Sequence, residues 1–226
     1  MLWNYGGAGG AEVDQAGRVA INSPGTIAAV AKVKSGWKDA FDETGTGWDD
    51  SANNRAFLAE TISATQNASS IWWVAKDQGA PFFDDIALGL LPGGPQGRAT
   101  MGQLWTLGVM KYSKNVDAAK AFLRWQMQDA QWMPLFELMN SFICGVGEKQ
   151  NNAAAWDKVP PVTRVLKDTP QNFRGIGWPG PPTQRAGLTQ ARYSIVNMFA
   201  RAVQGATPEA TVAEAEKELK EVYGQA

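Results

Sequence analysis

Residues 86–125 read IALGLLPGGPQGRATMGQLWTLGVMKYSKNVDAAKAFLRW, and the reading of this stretch decides the fold. The continuous apolar run IALGLL, ended by Pro92, predicts a buried strand over 86–91, and WTLGVM predicts another over 105–110. Asn115 predicts the cap of a helix carrying Ala119, Phe122, Leu123 and Gln126 on one face. Between the strands lies a glycine-rich loop, and such loops bring backbone close to something. A phosphate is the first ligand to test. From Gly97 the spacing reaches Gly102, but Gln103 stands where a P-loop needs lysine, and the next helix begins too late for a dinucleotide fingerprint.

The same strand-then-helix alternation recurs on both sides. Upstream, Ser23 and Pro24 predict a helix over 24–41 with Ile27, Val30, Ala31, Trp37 and Phe41 on one side, entered from a turn and a short extended segment, GRVAINS. Asp50 or Ser51 can cap a second helix to about Glu60, and Ile62, Ala64 and Gln66 alternate as a strand before a short helix with Ile71, Trp72 and Val74. Downstream, a helical piece is expected to be interrupted at Pro134. IGWPGPPTQRAG, residues 176–187, predicts a loop, followed by helices from Leu188 to about Gln204 and from Pro208 to Tyr223, the latter capped by Thr207 and stopped by Gly224. The expected fold class is α/β with mostly parallel pairing.

Composition narrows the chemistry. The 226 residues carry 21 basic and 22 acidic side chains, with no basic stripe suited to a run of phosphates, so nucleic acid is not an expected partner. The chain has no histidine, which removes Ser-His-Asp and Cys-His mechanisms, the common zinc sites and the usual general base. No cofactor is expected. The single cysteine, Cys144 in SFICGVG, reads as a buried apolar thiol and permits no internal disulfide. Asp84-Asp85 reads as a solvated turn, while Asp49, beside Trp48 in TGTGWDDSANN, suits either a ligand hydroxyl or a helix cap. Ten tryptophans, several beside Gly, Pro or Asp, suit either ordinary core packing or a sugar-binding surface, where an indole face packs on the C–H face of a pyranose.

Four stretches in order carry a resemblance: YGGAGGAEVDQAGRVAINSPGTIAAV, NNRAFLAETISATQNASSIWW, the 86–125 run itself, and TPEATVAEAEKELKEVY. Together they resemble the extracellular solute-binding proteins of ABC importers, in particular the carbohydrate-binding family that includes maltose-binding protein. The resemblance implies a type II, periplasmic-binding-protein-like fold of two lobes closing on a sugar without chemistry. It implies that residues 1–85 mostly build the second lobe, 86–140 cross the hinge into part of the first lobe, and 141–226 return to the second. It also implies a periplasmic or extracellular location, a monomer, and membrane permease subunits of an ABC system as partners. Such proteins are about twice this length, so the first lobe is expected to be incomplete here and binding by the chain alone weak or absent.

Carried over by position, Trp105 matches the tryptophan of the family's Gly-Gly-Trp ligand loop, with Gln103-Leu104 in place of the two glycines. Asn67 matches the asparagine before the stacking aromatic, with Ala68 following it, and Trp72 or Trp73 would then stack. Trp48, Asp49, Gln103 and Arg185 are candidate hydroxyl contacts. A glycan hydrolase or lyase using paired carboxylates in a tryptophan-lined cleft is the alternative, as is a segment without independent activity.

Overall fold

The computed structural model describes residues 2–6, 10–102, 106–139, 142–144 and 147–225. These form two compact units, one made of 1–65, 91–102 and 172–226, the other of 66–90 and 103–171.

The first unit is built on helices. Its elements are α1 (Leu2–Gly6), α2 (Pro24–Ala40), α3 (Ala52–Leu58), and, after the excursion into the second unit, α9 (Gln184–Ala191), α10 (Ser194–Val203) and α11 (Pro208–Tyr223). The Ser23 hydroxyl accepts from the Thr26 amide and starts α2 with proline at its first position, and Thr207 accepts from Ala210 to start α11 in the same way. Gly224, at φ 66°, closes α11 in the left-handed conformation that glycine adopts freely. The apolar faces of α2, α10 and α11 meet at Ile21, Val30, Met198, Val212 and Leu219, all excluded from solvent. Before α2, residues 12–20 fold back in a hairpin: Asp14 accepts from the amides of Ala16 and Arg18, and Gly17 turns at φ 77°. Gln225 pins this hairpin, donating to the Gly17 carbonyl at 2.9 Å and accepting from the Val19 amide at 2.9 Å.

The second unit holds α4 (Ser70–Asp77), α5 (Val116–Gln126), α6 (Asp129–Met139), α7 (Glu148–Asn151) and α8 (Ala155–Lys158). Phe136, Ala155, Trp156 and Val159 form its small core, with Cys144 half-buried at the edge and its thiol donating to the Leu166 carbonyl at 3.1 Å. Burial pushes that thiol up to about 11, so it stays protonated at neutral pH.

Several expectations are corrected. Among the described residues the strands are β1 (Thr100–Met101) and β2 (Phe173–Arg174), paired parallel with Thr100 opposite Phe173 and Met101 opposite Arg174. The runs at 62–67, 86–91 and 106–110 belong to no strand, and residue 105 lies outside the described residues. An extended apolar run becomes a strand only when another backbone meets it, and Leu107 and Met110 are each 61% exposed. The helix expected from Leu188 begins earlier, at Gln184, where Thr183 accepts from the Ala186 amide, and it breaks at Tyr193, whose φ is 56°. Asn115 precedes α5 without making a side-chain cap bond. Pro134 does not end α6, which runs through it toward the buried Phe136.

The glycine-rich loop is explained by contact of chain with chain. Asn4 of α1 donates its amide to the Pro92 carbonyl and accepts from the amides of Gln96 and Ala99, through its backbone and side-chain oxygens respectively. A Cβ on Gly94 would collide with the Asn4 carbonyl, and one on Gly102 would enter the Phe173 ring. The glycines are where backbone and ring press in.

Candidate functional site

The loop between α2 and α3 folds on itself into a surface hollow. Asp42 accepts from the amide and hydroxyl of Thr44, opening a short 3₁₀ turn over Glu43–Gly47. That turn throws Trp48 outward, where its indole Nε1 donates to Thr44 Oγ1 at 2.9 Å. Asp49 then accepts from both the amide and the hydroxyl of Ser51, an Asx turn that leads into α3. One turn into the helix, Arg55 Nη2 reaches back to both oxygens of Asp49 at 3.1 Å, and its Nη1 contacts Ser51 Oγ.

These residues surround a cavity of about 380 Å³ lined by Asp42, Thr44, Trp48, Asp49, Arg55 and Thr61 among others. The arrangement offers one indole and a rim of hydroxyl, carboxylate and guanidinium groups. The Arg55 hydrogen bond, followed by those from Ser51, holds the Asp49 carboxyl below the usual carboxylate range, and the Thr44 hydroxyl and amide do the same for Asp42. Both therefore present acceptors at neutral pH. Asp49 serves as a turn-former and an ion-pair partner at once.

Trp48 and Asp49 are thus brought together. Arg185, in the same unit, lies on α9 and donates to the Tyr223 carbonyl at the end of α11, where its charge also complements the helix dipole. Asn67, Trp72 and Trp73 belong to the second unit. Asn67 accepts from the Ala68 amide and the Ser70 hydroxyl at the entrance of α4. On α4, Trp72 is 4% exposed, edge-on to Trp73 at 4.7 Å between ring centres and tilted against Phe83 at 5.0 Å. Trp73 is more open, and the Lys76 ammonium lies 5.1 Å from its ring centre. Gln103 and Trp105 lie outside the described residues. Asp84-Asp85 sits in an exposed 3₁₀ turn over Phe83–Asp85.

Reading along the sequence missed Thr44, Arg55 and Thr61 as wall residues of the hollow. The available signal was Arg55 six residues after Asp49, a spacing that a loop entering a helix closes into an ion pair. Thr61 carried no comparable signal.

Among the described residues no group of histidine, cysteine and acidic side chains is placed to hold a metal ion, and no helix is long and apolar enough to cross a membrane. Comparison with known proteins gives the frame for this geometry. A protein of Deinococcus radiodurans described as a probable ABC transporter-binding protein is 26% identical over 170 residues, covering 74% of this chain and 36% of the relative. The matched part thus spans about a third of that relative's length. Residues 1–145 match the family of bacterial extracellular solute-binding proteins, and this span contains the Trp48–Asp49 hollow, Asn67, and the Trp72–Trp73 pair. The chain belongs to the bacterial extracellular solute-binding protein family.

Proposed function

We propose that the protein is the solute-binding component of an ABC import system, that its cargo is a mono- or oligosaccharide, and that it delivers this cargo to membrane permease subunits without transforming it. Family membership and the relative's description as an ABC transporter-binding protein support the transport role. The observation that carries the sugar reading is the hollow in which one indole stands among Thr44, Asp49, Arg55 and Thr61, an aromatic face ringed by donors and acceptors. Trp73 beside Lys76, with Asn67 at the entrance of the same helix, supplies a second such grouping.

The same reading extends to a periplasmic or extracellular location and to a two-lobed type II architecture that closes on its cargo. In it, residues 1–85 mostly build the second lobe, 86–140 make the crossing, and 141–226 return. Closure demands that the sugar bind the closed form better than the open one. Gln103 and Trp105 join Trp48, Asp49, Asn67, Trp72, Trp73 and Arg185 as the proposed ligand contacts.

Isothermal titration of the complete gene product with neutral and acidic mono- and disaccharides, beside a sugar-release assay on glycans, tests this. Saturable micromolar binding, about −8 kcal/mol, without turnover is the expected result. Turnover of any glycan, or no binding across the panel, overturns it.

A further inference from the structure

A second cluster in the first unit has chemistry that neither the fold nor the hollow uses. Arg174, on β2, places its guanidinium carbon 5.2 Å from the ring centre of Trp178, and Trp178 meets Trp3 of α1 edge to face at 5.9 Å. All three side chains are half-buried. Arg174 Nη1 donates only to the carbonyl of Phe173, its own neighbour, at 2.8 Å, while Nε is shut off from solvent and meets no acceptor. Among the described residues no carboxylate lies within ion-pair distance of this guanidinium, whereas Arg18, Arg55 and Arg201 each face an aspartate or glutamate.

The setting is rigid. Pairing of Met101 with Arg174 fixes the strand, the Phe173 ring lies against Gly102, and Asn4 ties α1 to the loop at 92–99. Gly177 turns at φ 77° with the Pro181 carbonyl and Ala186 close against it, so the Trp178 loop has little freedom to withdraw. A guanidinium without a counter-ion among the described residues is therefore held beside two indole rings, with Nη2, unlike the enclosed Nε, outside the buried donors and carrying no hydrogen bond to them. A carboxylate that meets the open Nη edge makes a charge-assisted hydrogen bond, stronger than the one a neutral hydroxyl makes there.

We infer that Trp3, Arg174 and Trp178 form a subsite for a ring-shaped sugar bearing a carboxylate, a uronate, with Arg174 taking the carboxylate and the indoles packing on the ring. This rests on the sugar-binding reading above and narrows it to acidic sugars. Titration of the complete gene product with D-glucuronate and D-galacturonate against D-glucose and D-galactose tests it, in low and in high salt. The expected result is uronate binding about tenfold or more tighter than the matching hexose, with the preference shrinking in high salt. R174Q should remove the preference, bringing uronate affinity down to that of the matching hexose in the same variant, and R174K, which keeps the charge but loses the planar fork, should retain part of it. Circular dichroism and a melting curve establish that each variant is folded, and if R174Q does not fold, the salt response of the unaltered protein decides. Hexose binding with no uronate preference, or a preference that survives in folded R174Q, overturns the subsite and leaves the sugar reading standing. No binding of any of the four sugars overturns the subsite, and the sugar reading then stands or falls on the disaccharides of the wider panel.

Discussion

Helices α11 and α5 both carry apolar residues at helical spacing, yet they end in opposite environments. Thr211, Val212, Ala215, Leu219 and Tyr223 of α11 are buried against α2 and α10 and the hairpin at 12–20, whereas α5 buries no residue and leaves Phe122 56% and Trp125 50% exposed. Their caps differ in the same sense, since Thr207 bonds to the first turn of α11 and Asn115 makes no such bond to α5. An amphipathic pattern records that a helix has an apolar face. It does not record whether anything covers that face.

The largest expected effect comes from breaking the covered face. Leu219→Ala should cost about 3 kcal/mol in denaturant unfolding, because Leu219 is wholly buried and its neighbours on α2 and α10 cannot all collapse into the space. A loss below about 1 kcal/mol would mean that the packing of α11 is looser than described.

A second test uses the carboxyl trapped beside α11. Burial raises Glu12 from an ordinary 4.5 to about 7, and its Oε2 has no hydrogen-bond partner. Between these values the unfolded chain has lost the proton that the folded chain keeps, so stability is fullest below pH 4.5 and falls as pH rises toward 7. The expected decline attributable to this group is on the order of 3 kcal/mol, and Glu12→Gln should flatten that part of the profile. An unchanged profile in the variant would show that Glu12 is solvated.

Capping gives the third comparison. Ser23→Ala should destabilise by about 1 kcal/mol through loss of the bond from the Thr26 amide, while Asn115→Ala should be close to neutral. Equal losses would place a working cap on α5. The smallest effect is expected from Phe122→Ser, within about 0.5 kcal/mol in thermal melts, because that side chain already faces solvent. A loss as large as that of Leu219→Ala would mean that α5 is covered in solution.

The comparison also explains what could be read from the amino acids alone. Ser23-Pro24 and Thr207-Pro208 were legible because capping is settled within four residues, and the Gly224 stop is equally local. The strands were not legible. IALGLL and the alternating run at 62–67 have strand composition but form no strand, while Thr100-Met101 and Phe173-Arg174 pair across 73 residues with no periodicity to mark them. The break at Tyr193 was hidden for a related reason, since a positive φ at tyrosine is imposed by surroundings rather than preferred by the residue.

At the candidate site the adjacent pair Trp48-Asp49 was legible as a polar and aromatic combination. Its wall was not, because Thr44, Arg55 and Thr61 converge through a 3₁₀ turn and an Asx turn whose joint geometry no single spacing encodes. The Arg174–Trp178 contact was missed for want of a sign that a guanidinium lacks a counterion, which is a property of folded space rather than of sequence.

The distribution of shielded indoles gives the protein a built-in optical label. Trp72 and Trp156, 4% and 2% exposed, lie in the second unit, while Trp3, Trp37, Trp48 and Trp178 of the first are all partly open to water. The blue edge of the emission spectrum therefore belongs mainly to the second unit, whereas the far-ultraviolet ellipticity draws on the helices of both. Unfolding followed at the two wavelengths distinguishes a single cooperative transition, in which the curves superimpose, from separate melting of the units, in which they part.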